Sequence, residues 1–171
     1  IDLPAGPSEL MIIADETAPS EWVAADLLGQ AEHDAQAQVM LLAASPRQAE
    51  EVQRAIIRRV EGLPRAAVAK ASLERGSIIV TQSLDQAIEI ANCYAPEHLS
   101  LALADASGLL PRIRNAGAVF VGHGASESFG DYVSGPSHVL PTGGAARASS
   151  GISVTSFMKS MSVHELSDRG I

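Results

Sequence analysis

Leu10-Met11-Ile12-Ile13-Ala14 and Gln38-Val39-Met40-Leu41-Leu42 are two short apolar runs, and between them Ser20 to His33 places Trp22, Val23, Leu27 and Leu28 at helical spacing. An unbroken apolar run of about five residues predicts a strand buried on both faces, and a helix joining two such strands predicts a parallel crossover. Ser20 reads as the N-cap of that helix. The pattern repeats outward. Ser45-Pro46 opens a helix to about Val60, with Pro46 at the first helical position, where its missing N–H costs nothing. A further helix from about Arg65 to Arg75 is closed by Gly76 in the manner of a helix C-terminus. Ser77 to Val80, Leu99 to Leu103 and Ala118 to Val121 read as three more strands. A helix from Ser83 to Tyr94, broken by Pro96, and another from Ser107 to Asn115 lie between them. The alternation predicts an α/β fold: a mostly parallel, doubly wound sheet, Rossmann-like but incomplete, with its ligand crevice at the carboxyl ends of the strands.

Gly122 to Gly151 breaks this rhythm, being rich in glycine and small hydroxyl residues, and is expected to form ordered loop over the sheet edge, where function concentrates. Ser156 to Leu166 mixes apolar and polar residues without a clear period. Residues 1–155 therefore read as the α/β core portion and 156–171 as a connection toward a further tail.

A chain of 171 residues suffices for one domain with a sizeable core, and 46% hydrophobic with 19% charged residues describes a globular protein. Its net charge of −8, with 12 scattered Lys and Arg, argues against nucleic acid and for small-molecule ligands. A lone cysteine, Cys93, forms no internal disulfide, which fits a reducing cytoplasm, and its helical, apolar surroundings make it a small packing residue. No apolar run approaches the roughly 18–20 residues that span a bilayer, and the start lacks the pattern of a signal peptide. Ile1 is not a methionine and Gly170-Ile171 follows a helical-looking segment directly, so both ends are expected to be cuts through a longer polypeptide.

Three places carry groups suited to chemistry. Gln30 and His33 lie three residues apart on one helix face and can address one small object such as a zinc ion, although the same spacing suits a solvated helix end. Glu97-His98 sets a carboxylate beside an imidazole after Pro96. A proton-transfer pair needs a bend there, since neighbours in extended chain point opposite ways; the alternative is a capped turn with a solvent-facing Glu and a core histidine. Asp131 and His138 sit in the glycine-rich block, Asp131 as a candidate metal carboxylate or an Asx-turn residue and His138 as a ligand contact. His123 and His164 have no evident partners, and Gly122-His123-Gly124 lacks the third glycine of a dinucleotide fingerprint.

Taken together, Pro4-Ala5-Gly6-Pro7-Ser8-Glu9, Ala24-Ala25-Asp26-Leu27-Leu28-Gly29-Gln30-Ala31-Glu32-His33, Ala95-Pro96-Glu97-His98-Leu99, and Gly130-Asp131-Tyr132-Val133-Ser134-Gly135 with His138-Val139-Leu140-Pro141-Thr142 resemble the histidinol dehydrogenases, in order and over nearly the whole chain. The resemblance implies zinc ligands at Gln30, His33 and Asp131, a catalytic pair at Glu97 and His98, and substrate contacts at Ser8, Gln30, His33, His98, Asp131 and His138. It further implies NAD-linked, four-electron oxidation of L-histidinol to L-histidine through the aldehyde, in a cytoplasmic homodimer that binds neither membrane nor nucleic acid. A fourth zinc ligand and a substrate-binding glutamate would come from the partner's C-terminal tail, and the NAD-binding residues would precede Ile1, so the isolated chain is expected to be nearly inactive. Ser137, Gly29 and Ser160 depart from the family pattern, which usually has Asn, Ser and Arg there; none is a proposed ligand. A relative acting on another small alcohol, such as a sulfonated one, and a catalytically silent zinc-binding module are the competing readings.

Overall fold

The computed structural model describes residues 6–132 and 134–167. The chain runs β1 (Glu9–Ala14), α1 (Ser20–His33), β2 (Gln38–Ala43), α2 (Pro46–Val60), α3 (Ala66–Leu73), β3 (Ser77–Val80), α4 (Leu84–Tyr94), β4 (His98–Ala102), α5 (Ala106–Leu109) and β5 (Ala118–Val121). The five strands form one sheet in the order β3-β2-β1-β4-β5, every pair parallel. This is the doubly wound α/β architecture that the alternation predicts.

Side-chain alternation divides the core. Leu10, Ile12, Ala14, Val39, Leu41 and Ala43 pack beneath α1, α2 and α3, whereas Met11, Ile13, Leu42, Leu99 and Leu101 pack against α4 and α5 on the opposite face. Successive residues of a strand point to opposite faces, so strands covered on both sides must be apolar along their covered length, as β1 is from Leu10 to Ala14. β1 lies at the centre between β2 and β4, with Leu10 paired to both Val39 and His98. β3, at the edge, is exposed along its length.

Several local expectations change. Ser20 is not a cap: Pro19 holds that position, and the Ser20 hydroxyl donates to Glu51 Oε2 at 3.1 Å, tying α1 to α2. Ser45 and Ser83 do cap α2 and α4, accepting from the N–H groups of Gln48 and Gln86. Gly76 does not take the left-handed conformation of a helix stop. Instead a Cβ there would lie 3.1 Å from Val39 Cγ2, so glycine permits close approach of α3's exit to β2. The expected helix from Ser107 to Asn115 shrinks to α5 and a 3₁₀ turn at Leu110–Arg112, in which Pro111 has no N–H to offer. Cys93 is exposed, because the buried stripe of α4 runs through Ala87, Ile88 and Ala91 and leaves position 93 on the outer side. His123 does have a partner, Thr17 Oγ1 at 3.0 Å from its Nε2.

Beyond Val121 the described residues form only 3₁₀ turns, at Glu127–Asp131, Ala145–Arg147 and Val154–Phe157, as expected for the glycine-rich block. That block runs back beside α1. The Ser126 hydroxyl donates to Asp26 Oδ1 at 2.7 Å, and Gly130 comes close to the Phe120 ring.

Candidate active site

Ser8, Gln30, His33, Glu97, His98, Asp131 and His138 all line one cleft of 390 Å³, together with Gly29, Glu127 and Ser128. Residues scattered over 130 positions of sequence meet there because the crossover reverses direction. α1 leaves the carboxyl end of β1 and runs back, so its last turn, with Gln30 and His33, arrives where β1 and β4 begin. The cleft therefore lies at the amino ends of the strands. The expected crevice at the carboxyl ends is overturned: between β1 and β4 that end is bridged by Asp15, whose N–H donates to Ala102 O and whose carboxylate accepts from Ala104 N.

The inner wall is buried, with Gln30, Glu97 and His98 at 3%, 6% and 9% exposure, while His33, Asp131 and His138 form an exposed rim. Glu97 and His98 do share one space. β4 begins at His98 rather than Leu99, so Glu97 lies in the turn before the strand and its Oε2 comes 3.5 Å from His98 Nδ1. The alternative of a solvent-facing Glu97 is excluded by its burial. His98 Nδ1 also lies 3.0 Å from the carbonyl oxygen of Glu9. A carbonyl only accepts, so Nδ1 carries the hydrogen and the neutral ring keeps its lone pair on Nε2. The ring packs against Phe120 with centroids 6.0 Å apart.

The electrostatics are those of crowded acids. Burial pushes the Glu97 carboxyl above its ordinary range and the nearby charge of Glu9 adds to this. The Glu9 N–H, the Ser8 hydroxyl and His33 act in the opposite direction. Glu127 is likewise raised by burial, and by Asp131, Asp26 and Glu97, against the influence of His98. A cation entering such a cleft relieves this repulsion. Among the described residues no three His, Cys, Asp or Glu side chains converge to cage a metal ion. The candidate donors are one imidazole, one carboxylate and the amide of Gln30. Such a set suits zinc as an incomplete site, one donor short of the four that a tetrahedral ion takes up.

Two carboxylates carry no signal in the sequence: Glu127, which lines the cleft, and Glu9, buried against Glu97. Glu127, in Ser126-Glu127-Ser128, has no motif to mark it. Glu9 was visible only as the neighbour of Ser8 at the mouth of a strand.

A family model for histidinol dehydrogenase matches residues 1–171. The chain belongs to the histidinol dehydrogenase family. It is 49% identical over 170 residues to the histidinol dehydrogenase of Haemophilus influenzae, covering 99% of this chain and 40% of that protein. The Thermus thermophilus relative is 48% identical over 168 residues, covering 98% and 41%. A crystal structure of histidinol dehydrogenase from Elizabethkingia anophelis superimposes with a TM-score of 0.95 at 43% identity, over 99% of this chain and 39% of that one. The chain thus spans about two-fifths of the length of the relatives it matches. Among the described residues no helix is long and apolar enough to cross a membrane.

Proposed function

We propose that this chain supplies the proton-transfer pair and most of the metal donors of an enzyme that oxidises L-histidinol to L-histidine. The observation that carries this reading is the meeting of Ser8, Gln30, His33, Glu97, His98, Asp131 and His138 in one cleft of a chain from this family. Alcohol to carboxylate removes four electrons. Two hydrides leave, a water adds to the aldehyde between the two transfers, and three protons are released overall.

His98 takes the alcohol proton on Nε2, its Nδ1–H being committed to the Glu9 carbonyl. Glu97 takes a proton from the water that attacks the aldehyde. Its raised pKa makes it a stronger base than an ordinary carboxylate once ionised. Gln30, His33 and Asp131 would hold zinc, with a further donor from outside this stretch. Zinc there would orient the substrate's imidazole and amine, having no second oxidation state with which to accept a hydride. NAD would supply the hydride acceptor, one molecule for each of the two transfers. Ser8 and His138, both lining the cleft, would fix the substrate within reach of His98. A homodimer acting in the cytoplasm, away from membrane and nucleic acid, completes the reading.

The test is stoichiometric. The full-length, zinc-loaded enzyme should form two NADH per histidinol consumed, and this 171-residue chain by itself none. No NADH from the full-length enzyme with histidinol, but turnover of a sulfonated alcohol, would overturn the substrate. Turnover by the isolated chain would overturn the partition of the site.

A further inference from the structure

Glu9 uses every polar group it has on the two residues that carry the proposed proton transfers and on the loop beside them. Its N–H donates to Glu97 Oε2 at 2.9 Å, and its carbonyl faces His98 Nδ1 at 3.0 Å. Its own carboxylate is divided: Oε2 accepts from the Glu97 N–H at 3.3 Å and Oε1 from the Gly143 N–H at 3.0 Å. Glu9 and Glu97 thus exchange carboxylate-to-amide hydrogen bonds across 88 residues of sequence, and both are buried. Gly143 reaches Glu9 from a left-handed turn, φ +61°, that disfavours any side chain. Arg147, four residues on, holds the same loop to α4 by donating to the carbonyls of Cys93 and Tyr94.

We propose that Glu9 is a positioning residue for the Glu97–His98 pair, a clamp that fixes the Glu97 backbone from below while its main chain orients the Glu97 carboxylate and the His98 ring. Two backbone amides pointing at separate oxygens require a carboxylate. A glutamine offers one acceptor and turns an NH₂ toward the other donor, leaving a buried N–H unpaired. The inference rests on the proposed roles of Glu97 and His98.

The experiment substitutes Glu9→Gln and, separately, Glu9→Asp in the full-length, zinc-loaded enzyme. The first keeps the volume; the second keeps the charge but withdraws it by one methylene. Because small misplacements of reacting groups are costly, kcat should fall roughly a hundredfold in both. KM for histidinol and bound zinc should stay within about threefold, the mark of an interaction that serves the transition state alone. In Glu9→Gln one of the peptides covering 95–99 and 142–147, and in Glu9→Asp both, should exchange amide hydrogens at least about tenfold faster, since Gln keeps one acceptor and Asp withdraws both. A kcat within about threefold of the unsubstituted enzyme in both variants, or a loss matched by KM or by zinc, overturns the proposal. If the unsubstituted enzyme forms no NADH from histidinol, the activity reading fails separately. The exchange rates then decide for Glu9, and unchanged exchange in both peptides overturns the clamp.

Discussion

At the carboxyl end of β1, Asp15 meets burial that would raise its pKa, but the Thr17 hydroxyl, the N–H groups of Ala104 and Thr17, and His123 together hold it below the ordinary range. At the amino end of the same sheet, Glu97 also accepts a hydrogen bond, from the Glu9 N–H, yet burial and the charge of Glu9 leave it raised. Glu127 behaves as Glu97 does. One end satisfies its acid and closes; the other crowds its acids around an open cleft. In the first the carboxylate is part of the fold, and in the second the raised acids line the cleft proposed as the active site.

The sharpest way to break this contrast is Glu97→Gln in the full-length enzyme. Turnover should fall by about 10²- to 10⁴-fold, the usual worth of a general base. The thermal midpoint should hold or rise, because a carboxyl whose folded pKa is raised stabilises the fold only while protonated. That contribution is lost as pH rises through the folded value, and Gln never incurs the loss. A marked drop in midpoint would show that the amino end, too, is built for folding.

Next in size is metal affinity. His33→Asn should weaken zinc binding by at least about tenfold in equilibrium dialysis while leaving unfolding unchanged, since the rim of the cleft is exposed. Zinc retained at full affinity would remove His33 from the site.

Asp15→Asn turns to the other end. An acid with a depressed folded pKa stabilises above its unfolded value, and the benefit disappears as pH falls through the folded one. The substitution should cost about 1 kcal/mol near neutral pH, allowing for partial exposure, and the cost should fade in acid. A pH-independent cost would mean that shape rather than charge is at stake.

Asp26→Asn should have the smallest effect and the opposite sign. Burial raises Asp26 above its ordinary range, opposed by the Ser126 hydroxyl, so its ionisation weakens the fold as pH rises through the raised value. Asn keeps an acceptor for Ser126. A gain of a few tenths of a kcal/mol, roughly, is expected near neutral pH in urea unfolding, shrinking toward acid.

The sequence alone determined the alternation of strands and helices, the five strands within one residue of their ends, and the helix starts at Ser45-Pro46 and Ser83. These follow from local periodicity and from turn chemistry, which act within a few residues. Motif order pointed to the family, and the seven residues it named line one cleft. What it could not determine was anything set by packing between distant segments. Ser20 caps nothing because Glu51 on α2 claims its hydroxyl, and Gly76 is small because Val39 lies against it. The cleft sits at the amino ends of the strands because α1 carries Gln30 and His33 back to where His98 begins β4. Glu9, by sequence only a residue at the mouth of an apolar strand, became the partner of Glu97 only when β1 and β4 paired in register. Hydrogen bonds across 88 residues leave no local trace, since each partner's own neighbourhood is compatible with several surroundings and only the folded chain selects one.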